Sequence, residues 1–242
     1  DDIIQFIETL RDKRGIQWNT INTYLAIVSS FYNYVIDQGV AVRNPTRGVK
    51  RLRAAKIAPD WITAEEIKQT IDAIETDTLA GLRDRLLIMM MWTGMHRITA
   101  VISLRLRDFE LYRQNTKYRY TSKGQQGIKY LSPTVESYLR QYLQRRPATI
   151  PNHKIKNMWM ALEWTLQTGE VLLEYDHVFI GLHINRSAQF GKPLTRIAAN
   201  NIIKRRTFVA IGAEKCSHSL RHGAARHAHH VLGMPLLKVR DG

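Results

Sequence analysis

The stretch His218-Ser-Leu-Arg221-His222 puts three groups able to handle a phosphate within five residues. On a helix they fall at i, i+3 and i+4 and share one face. Arginine offers a rigid guanidinium fork that matches phosphate oxygens two at a time. Histidine donates a hydrogen bond or carries a proton near neutral pH. Such a face makes a phosphate site or a pH-sensitive surface. An ordinary solvated basic helix has the same pattern, and only the surrounding sequence separates these readings. A histidine-rich run, Arg226-His227-Ala-His229-His230, follows on the same segment. His222, Arg226 and His230 recur at steps of four, but no nearby set of Cys, Asp or Glu completes a ligand shell, so no metal is expected.

Upstream, Thr93-Gly94-Met95-His96-Arg97 is followed by Ile-Thr-Ala-Val-Ile-Ser-Leu104-Arg-Leu-Arg-Asp108. Together with His218-x-x-Arg221-His222, this resembles the two arginine boxes of the tyrosine-type site-specific recombinases, the phage integrase family. In that family a first arginine follows a helix ending in Thr-Gly-x-Arg. A helix of small and apolar residues and a Leu-x-x-x-Asp element come next. The spacing from Arg97 to Asp108 fits. The sequence departs from the common form in carrying an extra residue, His96, before the arginine, and Ala100 where a glutamate is usual. Thr121-Ser122-Lys123-Gly124 stands where the family places a hairpin lysine, usually in Gly-Lys-Gly; Lys129, on the same hairpin, is the rival. The front end agrees too. Thr20-Ile-Asn-Thr-Tyr24, Phe31-Tyr32, Asn44-Pro45 and Gly48-Val49-Lys50 resemble the helical core-binding domain of the family. The resemblance covers nearly the whole chain in the right order. Its weakest part is 147–176, longer than the short link the pattern leads one to expect.

The resemblance implies a function and roles. Arg97 and Arg221 would clamp the non-bridging oxygens of a phosphodiester, Lys123 would protonate the departing 5′ oxygen, His218 would bond the phosphate or assist proton transfer, and His222 would support them. A tyrosine would attack and form a 3′-phosphotyrosyl bond, without metal or cofactor. The expected partners are a double-stranded DNA recombination site and further copies of the chain, as a tetramer on DNA. Asn19, Thr20, Asn22, Lys50, Arg51, Arg53, Lys129 and Arg196 are candidate DNA contacts. The last tyrosine is Tyr175. The family pattern puts the nucleophile after the His-x-x-Arg box, so it is expected beyond Gly242, and these residues alone are expected not to cleave DNA. Three other readings remain: a non-catalytic sequence-specific DNA-binding protein on the same fold, a transposase or telomere-resolvase relative, and a general nucleic-acid binder with chance motif matches.

These residues need elements to hold them. Ile3, Phe6, Ile7 and Leu10 mark one helical face, and Ile21, Leu25, Val28, Tyr32 and Val35 mark a second, ended by Gly39. The opening Asp-Asp-Ile-Ile runs straight into this periodicity, as the middle of a domain would. A basic stretch from Lys50 to Pro59 has no apolar face and serves as a linker or a strap along a phosphate backbone. Thr63-Ala-Glu-Glu66 is a capping box opening the next helix. Apolar helices are predicted over about Leu82–Trp92 and Arg97–Leu104. Tyr- and Thr-rich alternation between Phe109 and Leu131, with Lys123-Gly124 and Gly127 as turn residues, predicts a small antiparallel hairpin or sheet. Helices are expected from Pro133 to about Arg146, over 196–210, and from His218 to Leu232, with Val178-Phe179-Ile180 a short strand or buried link. The fold class is therefore mainly α with a small antiparallel sheet. The domains are expected at 1–52 (helical, DNA-binding) and 61–242 (α+β, catalytic), joined by 53–60, the two gripping a duplex as a clamp.

Composition bounds the same reading. The 242 residues carry 36 Lys+Arg against 21 Asp+Glu, a formal net charge of +15. That excess points to a polyanionic partner. The single cysteine, Cys216, rules out an internal disulfide and suits a reducing, cytoplasmic compartment. No apolar run approaches the ~20 residues that span a bilayer, so no membrane partner is expected.

Overall fold

The structure, a computed structural model, describes residues 2–49, 60–110, 115–146, 160, 177–182 and 191–235. The chain divides into two compact units, Asp1–Ala58 and Pro59–Gly242.

The first unit is helical. Helix α1 (Asp2–Glu8) runs into a π-helical turn over Thr9–Lys13, and Gly15 turns the chain with φ +60°. Helix α2 spans Trp18–Asp37. Of the expected apolar stripe, Ile21 and Leu25 are buried, with Leu10 against them, whereas Val28, Tyr32 and Val35 are only half-buried. Asn44 closes the unit: its amide donates to the Ser29 carbonyl and to Asn33 Oδ1. Pro45 follows it, where a proline disfavours further helix.

The second unit is mainly helical around a three-stranded antiparallel sheet. The capping box at Thr63 forms as read from the sequence: Glu66 N–H donates to Thr63 Oγ1 and the Glu66 carboxylate accepts from Thr63 N–H. It starts α3 (Ala64–Asp72). Helix α4 (Leu79–Thr93) is buried nearly all round. That is why its residues show no amphipathic stripe. Helix α5 (Ile98–Ile102) is shorter than expected, because Ser103 and Leu104 turn into a 3-10 segment at Leu106–Asp108.

The sheet has β1 (Phe109–Glu110), β2 (Lys117–Ser122) and β3 (Gln125–Tyr130) in sequence order. Lys117 pairs with Tyr130 and Ser122 with Gln125. The two residues between, Lys123 and Gly124, both have positive φ, the backbone of a tight hairpin turn. Gly127 is not in the turn but within β3. A Cβ there would come within 2.6 Å of the Tyr120 ring, so the glycine makes room for that ring across the strands.

Helix α6 (Pro133–Arg145) follows. Val178, Phe179 and Ile180 are fully buried, linked by isolated bridges at His177 with Arg105 and at Ile180 with Pro193. Helices α7 (Arg196–Ile211) and α8 (Ser217–His230) complete the unit. Both pack on α4. The buried carboxylate of Asp84 in α4 accepts from Arg83 at 2.7 Å and from Arg206 of α7 at 2.8 Å. Arg205 of α7 adds a third contact to the same carboxylate at 3.5 Å, so this buried charge is shared among several guanidinium groups. The expected features of 147–176 lie outside the described residues, Met160 apart.

Candidate active site

The site is built on the C-terminal end of α4. Its backbone N–H groups close in tight turns: Gly94 to Met90, Met95 to Trp92 and His96 to Met91. Met95 sits at φ +50°, a left-handed conformation uncommon for a residue with a side chain. This turn leaves the Gly94 and Met95 carbonyls free of the helix ladder.

Two cations arrive there from other elements. Lys129 of β3 places its Nζ 2.5 Å from the Gly94 carbonyl oxygen, and Arg221 of α8 donates from Nη1 to the Met95 carbonyl. Arg97, the residue that caps α5, donates from Nη1 to Ser122 Oγ at 2.9 Å, tying the first arginine to the end of β2. All three side chains are half-buried.

Burial and the neighbouring charge show in the titration of Arg221 and Lys129. The Arg221 guanidinium is lowered from its ordinary value, first by burial and then by the charge of Arg97. The Lys129 ammonium is pushed down to about 8, first by burial and then by Arg221. Three cations gathered, with no carboxylate paired to them among the described residues, form a site suited to an anion with several oxygens.

Beneath them lies a neutral aromatic layer. His96 is buried; its Nε2 is 2.7 Å from the Tyr118 hydroxyl, and its ring lies 4.4 Å from that of Tyr120. Burial, then the charges of Lys129 and Arg221, hold His96 down at about 3, so it is neutral near pH 7. The Tyr118 hydroxyl is raised by burial. Gly94 makes the arrangement possible, since a Cβ there would come within 2.6 Å of His96 Nε2.

The structure thus brings Arg97, Arg221 and Lys129 together. Lys123 lies at the exposed hairpin tip, at φ +51°. His218 and His222 are exposed on α8, one and the same face as Arg221, with their ring centroids 6.4 Å apart. Arg196 is exposed at the first position of α7. In the first unit, Asn19 and Thr20 are exposed in the first turn of α2, and Asn22 is half-buried behind them. Lys50, Arg51 and Arg53 lie outside the described residues.

Among the described residues, no group of three His, Cys, Asp or Glu is placed to hold a metal ion. Arg226 instead lies 4.6 Å over the Trp61 ring, and the His227 ring is tilted against Trp92 with centroids 6.0 Å apart. No helix of the described residues is long and apolar enough to cross a membrane.

Sequence reasoning treated His96 only as an extra residue and did not reach Tyr118, Tyr120 or Ser122 as parts of the site. One signal was present: Tyr118 and Tyr120 stand two apart on one strand, hence on one face.

The family described as "Phage integrase family" matches residues 60–236. Transposase A from transposon Tn554 of Staphylococcus aureus is 28% identical over 236 residues, which cover 88% of this chain and 59% of the relative. Tyrosine recombinase XerD of Listeria innocua is 25% identical over 230 residues, 94% of this chain and 68% of the relative. The chain therefore spans about three fifths of the length of the Tn554 relative. Among solved structures, XerH site-specific recombinase bound to palindromic difH substrate, in a post-cleavage complex, superposes with a TM-score of 0.70 at 20% identity, over 98% of this chain and 64% of that one. At that identity the likeness is one of fold.

Proposed function

We propose that this chain, which belongs to the phage integrase family of tyrosine recombinases, is the DNA-binding and phosphate-activating part of a site-specific recombinase. The observation that carries the reading is the convergence of Arg97 and Arg221 from separate elements onto one half-buried site.

Cleaving a phosphodiester without metal requires charge stabilisation at the pentacoordinate phosphorus. Two guanidinium forks on the non-bridging oxygens supply it. His218, exposed three residues before Arg221 on the same helical face, bonds the phosphate or assists proton transfer, and His222 supports it. One of the two hairpin lysines protonates the 5′ oxygen as it leaves. The attacking group is a tyrosine, and the 3′-phosphotyrosyl bond keeps the phosphodiester energy for rejoining, so no cofactor is consumed. No tyrosine of the sequence follows Arg221. On this reading the nucleophile is contributed from outside residues 1–242, and a polypeptide of these residues alone binds DNA without cutting it. The substrate is a specific duplex site, recombined by four protomers on two duplexes in the cytoplasm. Asn19, Thr20, Asn22, Lys50, Arg51, Arg53 and Arg196 contribute contacts to it.

The test is covalent capture. The protein as its gene encodes it is incubated with nicked duplexes selected for tight binding from a random pool. A covalent protein–DNA adduct is expected, reduced by at least 100-fold in Arg221→Ala and Arg97→Ala, the order of effect of removing one stabilising donor. Tight duplex binding with no adduct at any site would instead favour a non-catalytic DNA-binding protein on the same fold.

A further inference from the structure

Against the family pattern His96 is an extra residue, standing between Thr93-Gly94-x and the arginine. An added residue in a tight connection shifts everything after it unless the backbone absorbs it. Here the backbone absorbs it at Met95. Helix α4 closes with two bonds: the Met95 N–H donates to the Trp92 carbonyl and the His96 N–H to the Met91 carbonyl. That closure needs one left-handed residue, usually a glycine. In this chain it is Met95, at φ +50°. A residue with a side chain keeps such a conformation only where its surroundings hold it there.

His96 supplies those surroundings. Its side chain is buried between the turn and β2. The ring lies so close to Gly94 that a Cβ there would overlap it. On its other side it meets the Tyr120 ring, at 4.4 Å, and its Nε2 is 2.7 Å from the Tyr118 hydroxyl. Tyr118 is itself buried and stacked on Phe109, with centroids 5.5 Å apart. The same turn carries the cations of the site. The Gly94 carbonyl accepts from Lys129 and the Met95 carbonyl from Arg221. Arg97 follows directly on His96 and donates to Ser122, at the end of β2. Two consecutive residues are thus anchored on one strand, and the backbone between helix and strand is fixed at both ends.

Resting on the recombinase reading, we propose that His96 is a positioning residue: wedged between Gly94 and β2 and bonded to Tyr118, it fixes the turn that aims Arg97 and Arg221 at the scissile phosphate. It touches neither the substrate nor the reacting atoms. An imidazole suits the place on three counts. It is flat enough to lie between the Gly94 backbone and Tyr120. It offers a polar atom to a buried hydroxyl that an apolar ring would leave unpaired. It stays neutral beside two cations, since burial and their charges hold it down at about 3.

The experiment compares a charged with an uncharged phosphorus centre. The full gene product is given nicked duplexes carrying either the ordinary phosphate or a methylphosphonate where the adduct forms. The methyl group replaces one non-bridging oxygen and removes the negative charge that two aimed guanidinium groups stabilise. Tyr118→Phe deletes one oxygen and leaves the ring in place. It is expected to slow single-turnover adduct formation on the phosphate substrate by about 10-fold, and His96→Ala by about 100-fold, the order of loss from a misplaced group. Duplex affinity is expected to change by no more than about 2-fold in either variant, because many phosphate contacts share it. On the methylphosphonate both variants come within a few-fold of the wild type, as does Arg221→Ala, which sets the benchmark. A general loss of folding slows both substrates alike. Equal slowing on the two substrates, or variants as fast as the wild type on the phosphate, overturns the His96 role and leaves the recombinase reading standing. Failure of the wild type to form an adduct with either substrate overturns the recombinase reading, and the His96 role with it.

Discussion

At the scale of single residues, the site holds charges of one sign close together, with backbone carbonyls as partners for Lys129 and Arg221. His96 shows what this requires of its neighbours. A protonated imidazole there would be a buried charge beside the cations Lys129 and Arg221, so the native state keeps it neutral, at about 3 against an ordinary value of 6.5. The sign of the linkage follows. Between those two values the unfolded chain binds a proton at this residue and the folded chain does not, so stability rises with pH across the window and is lost as pH falls. The slope from this one residue approaches about 1.4 kcal/mol per pH unit. Urea unfolding followed at pH 7 and pH 5 should show a lower midpoint at pH 5, and His96→Gln should shrink that difference. An undiminished pH effect in the variant would show that other groups cause it. His96 was visible in the sequence only as an interruption of a motif. Its burial was not, because Tyr118 reaches it from a strand more than 20 residues away.

At the scale of elements, helix α8 and the turn before it are tied to the entry of their own unit. Ile62 N–H donates to the Ser219 carbonyl, Lys215 pairs with Asp60 at 2.5 Å, and Arg226 covers Trp61. The close approach depends on Gly223, where a Cβ would overlap the Ile62 carbonyl. Alanine in mid-helix gains up to about 1 kcal/mol in propensity over glycine. Overpacking against a backbone carbonyl costs about 1–3 kcal/mol, and the clash should win. Gly223→Ala is therefore expected to lower the thermal midpoint and to weaken DNA cleavage by displacing Arg221. A raised midpoint would show that the segment from Asp60 to Ile62 yields easily. This contact was illegible in the sequence, where Gly223 reads as a mild defect in a helix. The α8 helix itself was legible, since its periodicity is local.

At the scale of the whole molecule, charge and core divide the labour. The core of the second unit runs from Ile62 through α4 to Leu220, whereas Leu10, Ile21 and Leu25 form the buried core of the first. The formal charge of +15 gives the chain a general attraction to polyanions. Duplex affinity should fall linearly on a log–log plot against salt, by about 0.9 for each phosphate contacted. Arg196→Ala, at an exposed helix start, should reduce that slope by about one and weaken all duplex sequences alike. Fluorescence anisotropy at several salt concentrations reads this directly. A slope unchanged by the substitution would remove Arg196 from the interface.

The sequence by itself determined the helices, the capping box at Thr63, the Lys123-Gly124 turn and the order of the two arginine boxes. Each of these depends on residues within a few positions of one another, or on a pattern read along the chain. Tertiary structure decided which groups share a site. The left-handed turn at Met95 frees two carbonyls, and those carbonyls draw Arg221 from α8 and Lys129 from β3 to one place while Lys123 stays in solvent. Burial and the field of neighbouring charges belong to the assembled fold, and they set Lys129 apart from Lys123, the lysine that the sequence pattern favours.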